Sequence, residues 1–475
     1  MILIGYGGFR ETALWPPRRG QGMFELSENC IGELVRAGLG YISKSKFYPT
    51  DERAADGIKL FSPMLMRFDV TLMPVSRTGC PVYFCTGILR SVNEQNDERE
   101  FLRPLPGGGQ GYDPISASLS CLGELAERLS LCSFGTDDPR VFNRTDDLID
   151  LDVSKCVGYS LLQIDDLGRD YSTFEKLIPG ENIEWNSLTK RRIRTTNSEF
   201  SVSAQLPSLV ALFGEPRPET GDVPRLASSI GCAVWTNIPG ARQRAYLELV
   251  ERDAIAQAWY NRLGISLLPK PILAKFLPKK IFDFLTEGVR QWAVLTVATD
   301  LEAHVVMAFS YLEGGRWAAF GSSAGWDLSS TIDGAIRELL QNENSLQMVK
   351  SAYPENDSSA GCRTKIPSAL RYARSNSILE DLPFADFQHV EEEVFKQGYS
   401  FEGLQAGLKA SGLSVWEFDA TRPDINVPCI KLFSPDLCTW EPRFGKTRLF
   451  DGVVKRGLRK SPATEAEFAA RPFPF

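Results

Sequence analysis

The sequence predicts an α+β fold built from antiparallel sheets and long helices, on three observations. Three strand-like runs, 291–299, 304–312 and 316–323, follow one another across short turns, which favours antiparallel pairing over a doubly wound parallel sheet. Three long helical patterns stand beside them, near 114–131, 239–262 and 330–350. The 475 residues, 43% hydrophobic and 24% charged, have the composition of a globular chain with ample core.

In chain order, residues 1–60 are expected to form an N-terminal arm, in which ELSENCIGELVRAGLGY has the spacing of one amphipathic helix. Residues 61–475 then form the main domain. CPVYFCTGIL (80–89) is β-branched and aromatic and reads as a strand, RPLPGGGQG (103–111) as turn chemistry, and Pro114 opens a helix to about Leu131. Residues 136–152 read as a polar connection, CVGYSLLQI (156–164) as a strand and EPRPETGDVP (215–224) as an exposed loop. A strand at 228–236 precedes the second long helix, and KKIFDFLTEGV forms a shorter one before the three strands. The third long helix takes Ser330 as its N-cap, and YPENDSSAGC (353–362) follows it as a polar stretch. A helix (401–411), two strands (413–419, 429–433) and an irregular tail ending RPFPF complete the chain, and no repeat period is visible. The last five residues are expected to make few buried contacts.

Composition removes several functions. With 53 basic and 60 acidic residues the net charge is −7, so nothing draws the protein to nucleic acid or to an anionic membrane. Only His304 and His389 are available for imidazole chemistry, neither lies in a nucleophile motif, and HVVMAFSY reads as a strand. The ten cysteines contain no C-x-x-C pair and read as buried free thiols. MILIGYGGFRETALWPPRRG offers a four-residue apolar start with no basic segment before it, and no apolar run approaches a membrane span, so the expected location is cytoplasmic.

The chemistry lies in three acidic helices. In the first, Ser120, Glu124, Glu127 and Arg128 read S-x-x-x-E-x-x-E-R, and at 100° per residue the hydroxyl and both carboxylates fall within about 60° of one another. Glu248, Glu251, Arg252 and Asp253 repeat the pattern in YLELVERDAIAQAW, and Glu338 and Gln341 share its spacing in AIRELLQNEN. Such pairs are ordinarily solvated faces with an arginine partner. Here they stand in otherwise apolar helices and recur three times, and carboxylates turned inward need a strong partner to offset desolvation. A divalent cation is the natural one: magnesium bridges one or two carboxylates to phosphate oxygens, so such a pocket can hold a nucleotide. Gly445-Lys446-Thr447 is no phosphate loop, because Trp440 stands where its first glycine is required. Gly107-Gly108-Gly109-Gln110-Gly111 reads either as backbone N–H groups facing a phosphate or as a plain turn.

The segments GQGYDPISASLSCLGELAERLS (109–130), SSIGCAVWTNIPGARQRAYLELVERDAIAQAW (228–259) and FGSSAGWDLSSTIDGAIRELLQ (320–341) resemble the YcaO ATP-dependent enzymes, in that family's order. The likeness runs over about residues 80–475. It implies a YcaO-like α+β fold with long helices lining an ATP and Mg2+ site. By that resemblance Ser120, Glu124, Glu127, Arg128, Glu248, Glu251, Arg252, Glu338 and Gln341 bind the nucleotide, with Glu124, Glu127, Glu248 and Glu251 on the metal. Two departures stand out: Gln110 occupies the place of a lysine common in the family, and the ending Arg471-Pro472-Phe473-Pro474-Phe475 has two of the three prolines of the P-x-P-x-P tail of azoline-forming members.

The resemblance to those members, the cyclodehydratase (D-protein) subunits of thiazole/oxazole-modified peptide synthetases, implies ATP-dependent conversion of Cys, Ser or Thr in a ribosomal precursor peptide to thiazoline or oxazoline rings, as in bacteriocin and antibiotic biosynthesis. Pro472 and Pro474 would carry the Phe475 carboxylate in as base. The implied partners are the precursor peptide, an E1-like peptide-binding protein and a flavin-dependent azoline dehydrogenase, with a homodimer inside a larger complex. The alternatives are a thioamide- or amidine-forming enzyme and a non-catalytic nucleotide-binding scaffold subunit.

Overall fold

The computed structural model describes residues 26–91, 104–170, 189–199, 201–216, 226–352, 367–390, 394 and 396–475. The expected polar stretch 353–362 and most of the loop at 215–224 lie outside them. The chain divides into two compact units: one takes the described residues up to Gly135 with Ala233–Ala241 and Ala420–Cys429, the other takes the remainder. The fold is the expected mixed α+β one.

In the first unit, α1 (Glu28–Arg36) begins where the Ser27 hydroxyl accepts from Cys30 N. A hairpin of β1 (Gly40–Ser43) and β2 (Lys46–Pro49) leads to α2 (Glu52–Arg67). Then β3 (Phe68–Val75), β4 (Tyr83–Ser91) and β5 (Leu105–Gly111) make an antiparallel sheet, and α3 (Pro114–Ser130) lies on it. One core holds Ile31 and Leu34 of α1, Met64 of α2, Leu72 of β3 and Cys121, Leu125 and Leu129 of α3, so residues 26–60 are packed with the sheet.

The glycine run differs from expectation. It is strand β5, in register with β4 from Leu89↔Leu105 to Tyr83↔Gly111. Its glycines are there because α3 presses on the strand. A Cβ on Gly109 would fall 2.2 Å from Ala117 O and Cys121 N, and one on Gly111 would fall 2.6 Å from Ser116 Cβ. The spacing thus records a close helix–sheet approach rather than a turn.

In the second unit a seven-stranded sheet contains β6 (Val141–Asn143), β7 (Ile149–Asp150), β8 (Arg191–Asn197), β9 (Ser203–Pro207) and β10 (Cys232–Val234), with β15 (Trp416–Asp419) and β16 (Cys429–Phe433) from late in the chain. Only the short β7–β9 pair is parallel among the described registers. The antiparallel sheet of β11 (Ile265–Leu267), β12 (Gln291–Val297), β13 (His304–Tyr311) and β14 (Ala319–Gly325) realises the three expected strands, and every residue of β13 is buried. The long helices are α4 (Ile238–Asn261) and α5 (Leu328–Ala352). The Asp327 carboxylate, rather than Ser330, caps α5 by accepting from Ser330 N at 2.9 Å.

Residues 156–164 are not a strand. Asp152 caps a short helix, Val153–Val157, Gly158 ends it at φ +75°, and a second helix starts at Leu161. The apolar run CVGYSLLQI hid two helix ends, which capping groups decide and periodicity does not. The final segment is more ordered than expected, with helices Thr447–Lys455 and Glu465–Ala469, the latter opened by a Thr464/Glu467 capping box.

Candidate functional site

Each unit carries a carboxylate–arginine cluster of its own. In the first, Asp113 accepts from Ser116 N, Pro114 supplies the first turn, and α3 buries Cys121, Leu122, Leu125, Ala126 and Leu129. That leaves the opposite stripe to Ser120, Glu124, Glu127 and Arg128. Glu124 Oε2 accepts from Gly108 N at 2.7 Å, and its Oε1 accepts from Arg128 Nε and Nη2 at 2.9 and 2.6 Å. The Glu124 and Arg128 side chains are 32% and 43% exposed, Glu127 is half-buried and Ser120 is exposed. These carboxylates therefore sit at the edge of the helix face and are not turned into the core. The Gly108 N–H is committed to Glu124, so it does not face a phosphate. Gln110 has a buried side-chain oxygen with no hydrogen-bond partner.

The second cluster is drier. Arg252 on α4 bonds Glu248 at 3.1 Å and Glu251 at 2.5 Å, with all three side chains less than a quarter exposed. Ser322 on β14 donates its hydroxyl to Glu251 Oε1 and its N–H to Glu338 Oε2, each at 2.6 Å. Gln341 is half-buried one turn further along α5. Burial, followed by repulsion from Glu251, pushes the Glu338 carboxyl up to about 7. Burial, offset by Arg252, also raises Glu248. Desolvation works against the Arg252 charge, but Glu251, Glu248 and Glu338 outweigh it and its pKa rises. Asp253 belongs elsewhere: fully buried, it accepts from Cys438 N and from Arg448, holding the helix Thr447–Lys455.

The two clusters repeat one geometry that the sequence conceals. Gly108 N donates to Glu124 and Ser322 N donates to Glu338, each sixteen residues ahead. Asp113 and Asp327 cap the helices through Ser116 N and Ser330 N, at 2.9 Å in both cases. Gly107 and Gly321 each lie where a Cβ would strike the leucine following the glutamate, Leu125 or Leu339. The preceding strands pair in register, Tyr83↔Gly111 and His304↔Gly325. The correspondence runs without a gap from strand to helix and places Glu127 opposite Gln341.

These residues suit a cation and a phosphate. Glu248, Glu251 and Glu338 outnumber Arg252, and burial, with Glu251 adding to it, raises the Glu248 and Glu338 carboxyls despite that arginine. Arg252 Nε is buried with no hydrogen-bond partner, leaving a donor for an anion. Among the described residues no three acidic, histidine or cysteine side chains stand as a ready-made metal cage. That fits magnesium, which takes one or two carboxylates and completes its shell with water and substrate phosphate. The rejected Gly445-Lys446-Thr447 is structural, with Lys446 buried and donating to Ser434 O at 2.7 Å.

The tail departs from expectation. Phe473 and Pro474 are buried, and the Phe475 ring contacts Phe309, Phe320, Tyr372 and Trp259 at 5.2–6.4 Å between centroids. Trp259 Nε1 donates to Arg471 O at 3.1 Å, and Phe473 N donates to Tyr260 Oη at 3.3 Å. With Phe473 and Pro474 buried and the Phe475 ring against its aromatic neighbours, the last five residues are an anchored strap, where a Pro-rich ending suggested few buried contacts. Ser322 is a residue of this cluster that sequence reasoning missed. Its signal is the shared sixteen-residue interval to the helix glutamate.

No curated protein sequence matches the chain. Solved structures similar to it include a heterocyclase in complex with substrate and cofactor, at 22% identity and TM-score 0.68, covering 89% of this chain and 57% of that one. The heterocyclase TruD is similar at 22% identity and TM-score 0.56, covering 76% and 52%. YcaO from Methanopyrus kandleri bound with AMPPCP and Mg2+ is similar at 14% identity and TM-score 0.51, covering 83% and 89%. These likenesses show the fold, and the chain spans little more than half the length of the two heterocyclases. The family model described as YcaO cyclodehydratase, ATP- and Mg2+-binding, matches residues 108–438, which takes in all three acidic motifs. The chain belongs to the YcaO family, with ATP and Mg2+ as its cofactors.

Proposed function

We propose that the chain is the cyclodehydratase subunit of an azoline-forming synthetase, acting in the cytoplasm on Cys, Ser or Thr of a ribosomal precursor peptide. One observation carries the reading: the Phe475 ring stacks on Phe320 at 5.2 Å and 24°, two residues before Ser322, which bonds both Glu251 and Glu338. The chain end is thus strapped along the strand that positions the second cluster. Glu124, Glu127, Glu248 and Glu251 are assigned as magnesium ligands, and Glu338 is tied to Glu251 through Ser322. Arg128 bonds Glu124, Arg252 bonds Glu248 and Glu251, and Ser120 and Gln341 would supply polar contacts to the nucleotide.

ATP, when bound, supplies the phosphoryl group that lets the amide oxygen leave as phosphate, with ADP as the other product. The chain's own part is positioning and proton transfer. Pro472 and Pro474 fix φ on either side of the buried Phe473, so the Phe475 carboxylate is held in one place. There it takes the proton from the thiol or hydroxyl that attacks the preceding carbonyl. An E1-like protein would deliver the peptide, and a flavin-dependent dehydrogenase would oxidise the rings; two copies of the chain would sit inside that complex.

The test is reconstitution with the cognate peptide, any E1-like partner and ATP. Each modification should remove one water and release ADP and phosphate with no sulfur donor. Replacement of oxygen by sulfur in the peptide mass would assign thioamide formation instead, and ATP binding without turnover would assign a scaffold.

A further inference from the structure

The guanidinium of Arg252 lies 3.5 Å from the centroid of the Trp440 ring. The Trp440 ring is also stacked on Phe473, at 4.8 Å and 15° between planes. Trp440 is held from two further directions: Tyr260 Oη donates to its carbonyl at 3.0 Å, and the Phe320 ring meets its edge at 5.9 Å. A single column therefore runs from the C-terminal strap through Trp440 to the arginine that bonds Glu248 and Glu251.

Arg252 needs such a support. Its two terminal nitrogens are drawn to two different carboxylates, and its Nε has no hydrogen-bond partner. In a site this dry a guanidinium over an indole face gains more than it would in water. The flat ring also fixes the plane of the fork, which decides whether both carboxylates are met at once. Phe473 in turn fixes Trp440, and Tyr260 ties the two together by accepting from Phe473 N while donating to Trp440 O.

We infer that Trp440 and Phe473 are positioning residues for the nucleotide site: the strap seats Phe473, Phe473 seats Trp440, and Trp440 holds Arg252 in the plane in which its fork meets both Glu248 and Glu251. The inference rests on the nucleotide reading of this cluster and adds that ATP affinity depends on the C-terminal strap. It assigns the tail a role in nucleotide binding separate from that of the Phe475 carboxylate.

The experiment compares full-length wild type, Trp440→Phe, Trp440→Leu and Phe473→Leu. Mg2+-ATP binding is titrated calorimetrically at pH 8, with a thermal melt for each protein. Trp440→Leu should weaken binding about tenfold, equivalent to about 1.4 kcal/mol, and Trp440→Phe by no more than about threefold, because a ring face remains. Phe473→Leu should fall between wild type and Trp440→Leu in affinity. A merely structural role would lower the melting temperature and leave the Mg2+-ATP affinity unchanged, and that result overturns the inference. So does equal binding by Trp440→Phe and Trp440→Leu. Absence of Mg2+-ATP binding by the wild type would instead remove the nucleotide reading, and the inference with it.

Discussion

Replacing Glu338 by Gln should make the empty protein more stable while it removes the response to Mg2+-ATP. Burial and the Glu251 charge lift this carboxyl from an ordinary 4.5 to about 7. The folded state therefore binds the proton more tightly than the unfolded one, so this group's contribution to stability is present below about pH 4.5 and is lost as the pH rises to about 7. A shift of that size corresponds to roughly 3 kcal/mol at pH 8, at about 1.36 kcal/mol per unit. Glu338 keeps some contact with solvent, and screening trims the figure to about 1–3 kcal/mol. Glutamine keeps the shape and can still accept from Ser322 N, which bonds Glu338 at 2.6 Å. Urea unfolding of both proteins at pH 5 and pH 8, with and without Mg2+-ATP, is the assay. The variant should gain stability at pH 8 and almost none at pH 5, and only the wild type should be strongly stabilised by the nucleotide. A variant that is less stable at pH 8 would show that Glu338 is held by favourable pairing, and the argument from desolvation would be wrong.

Four further outcomes follow from the same structure. Glu251→Gln should reduce Mg2+-ATP affinity at least tenfold with the fold retained, read by calorimetry beside circular dichroism, because charge is lost and shape is kept. Binding of Mg2+-ATP near pH 6 should release protons, since Glu338 must ionise to face a cation, and the release should fade above pH 8. Calorimetry in two buffers of different ionisation enthalpy measures it. Deleting Arg471–Phe475 should destabilise the protein by several kcal/mol, because Phe473 is buried and Phe475 touches four aromatic rings; removal of one buried phenylalanine alone costs about 3–5 kcal/mol. Adding one residue after Phe475 should spare the fold and lower ring formation.

The long amphipathic elements were legible because their burial follows one period over many residues: α3, α4, α5 and strands β12–β14 lie where their patterns placed them. The glycine strand β5 and the helices at 153–170 were not. Their conformation is set by what presses on them or caps them, such as α3 against Gly109 and Asp152 at Val153. Strands β8 and β9 were missed for a related reason, since RRIRTTN is polar along its length although Arg192 and Thr195 are buried. For the candidate site, the motif residues were legible and their surroundings were not. Nothing in the sequence distinguishes the half-exposed Glu124 from the drier Glu251, because that difference depends on Ser322, Arg252 and Trp440, which are distant along the chain.

The repeated strand–turn–helix sets its glutamate in two different charge surroundings: Glu127 and Arg128 follow Glu124 in the first copy, and Gln341 and Asn342 follow Glu338 in the second. The second copy therefore lacks the arginine one turn on that bonds Glu124 in the first. Asn342 instead donates to Phe320 O at 2.8 Å, tying the helix to its own strand. Glu338, left without a cation one turn on, has Arg252 of α4 nearby and a proton affinity near neutrality. Of two carboxylates at matching places, one thus has a charge that can change near neutral pH.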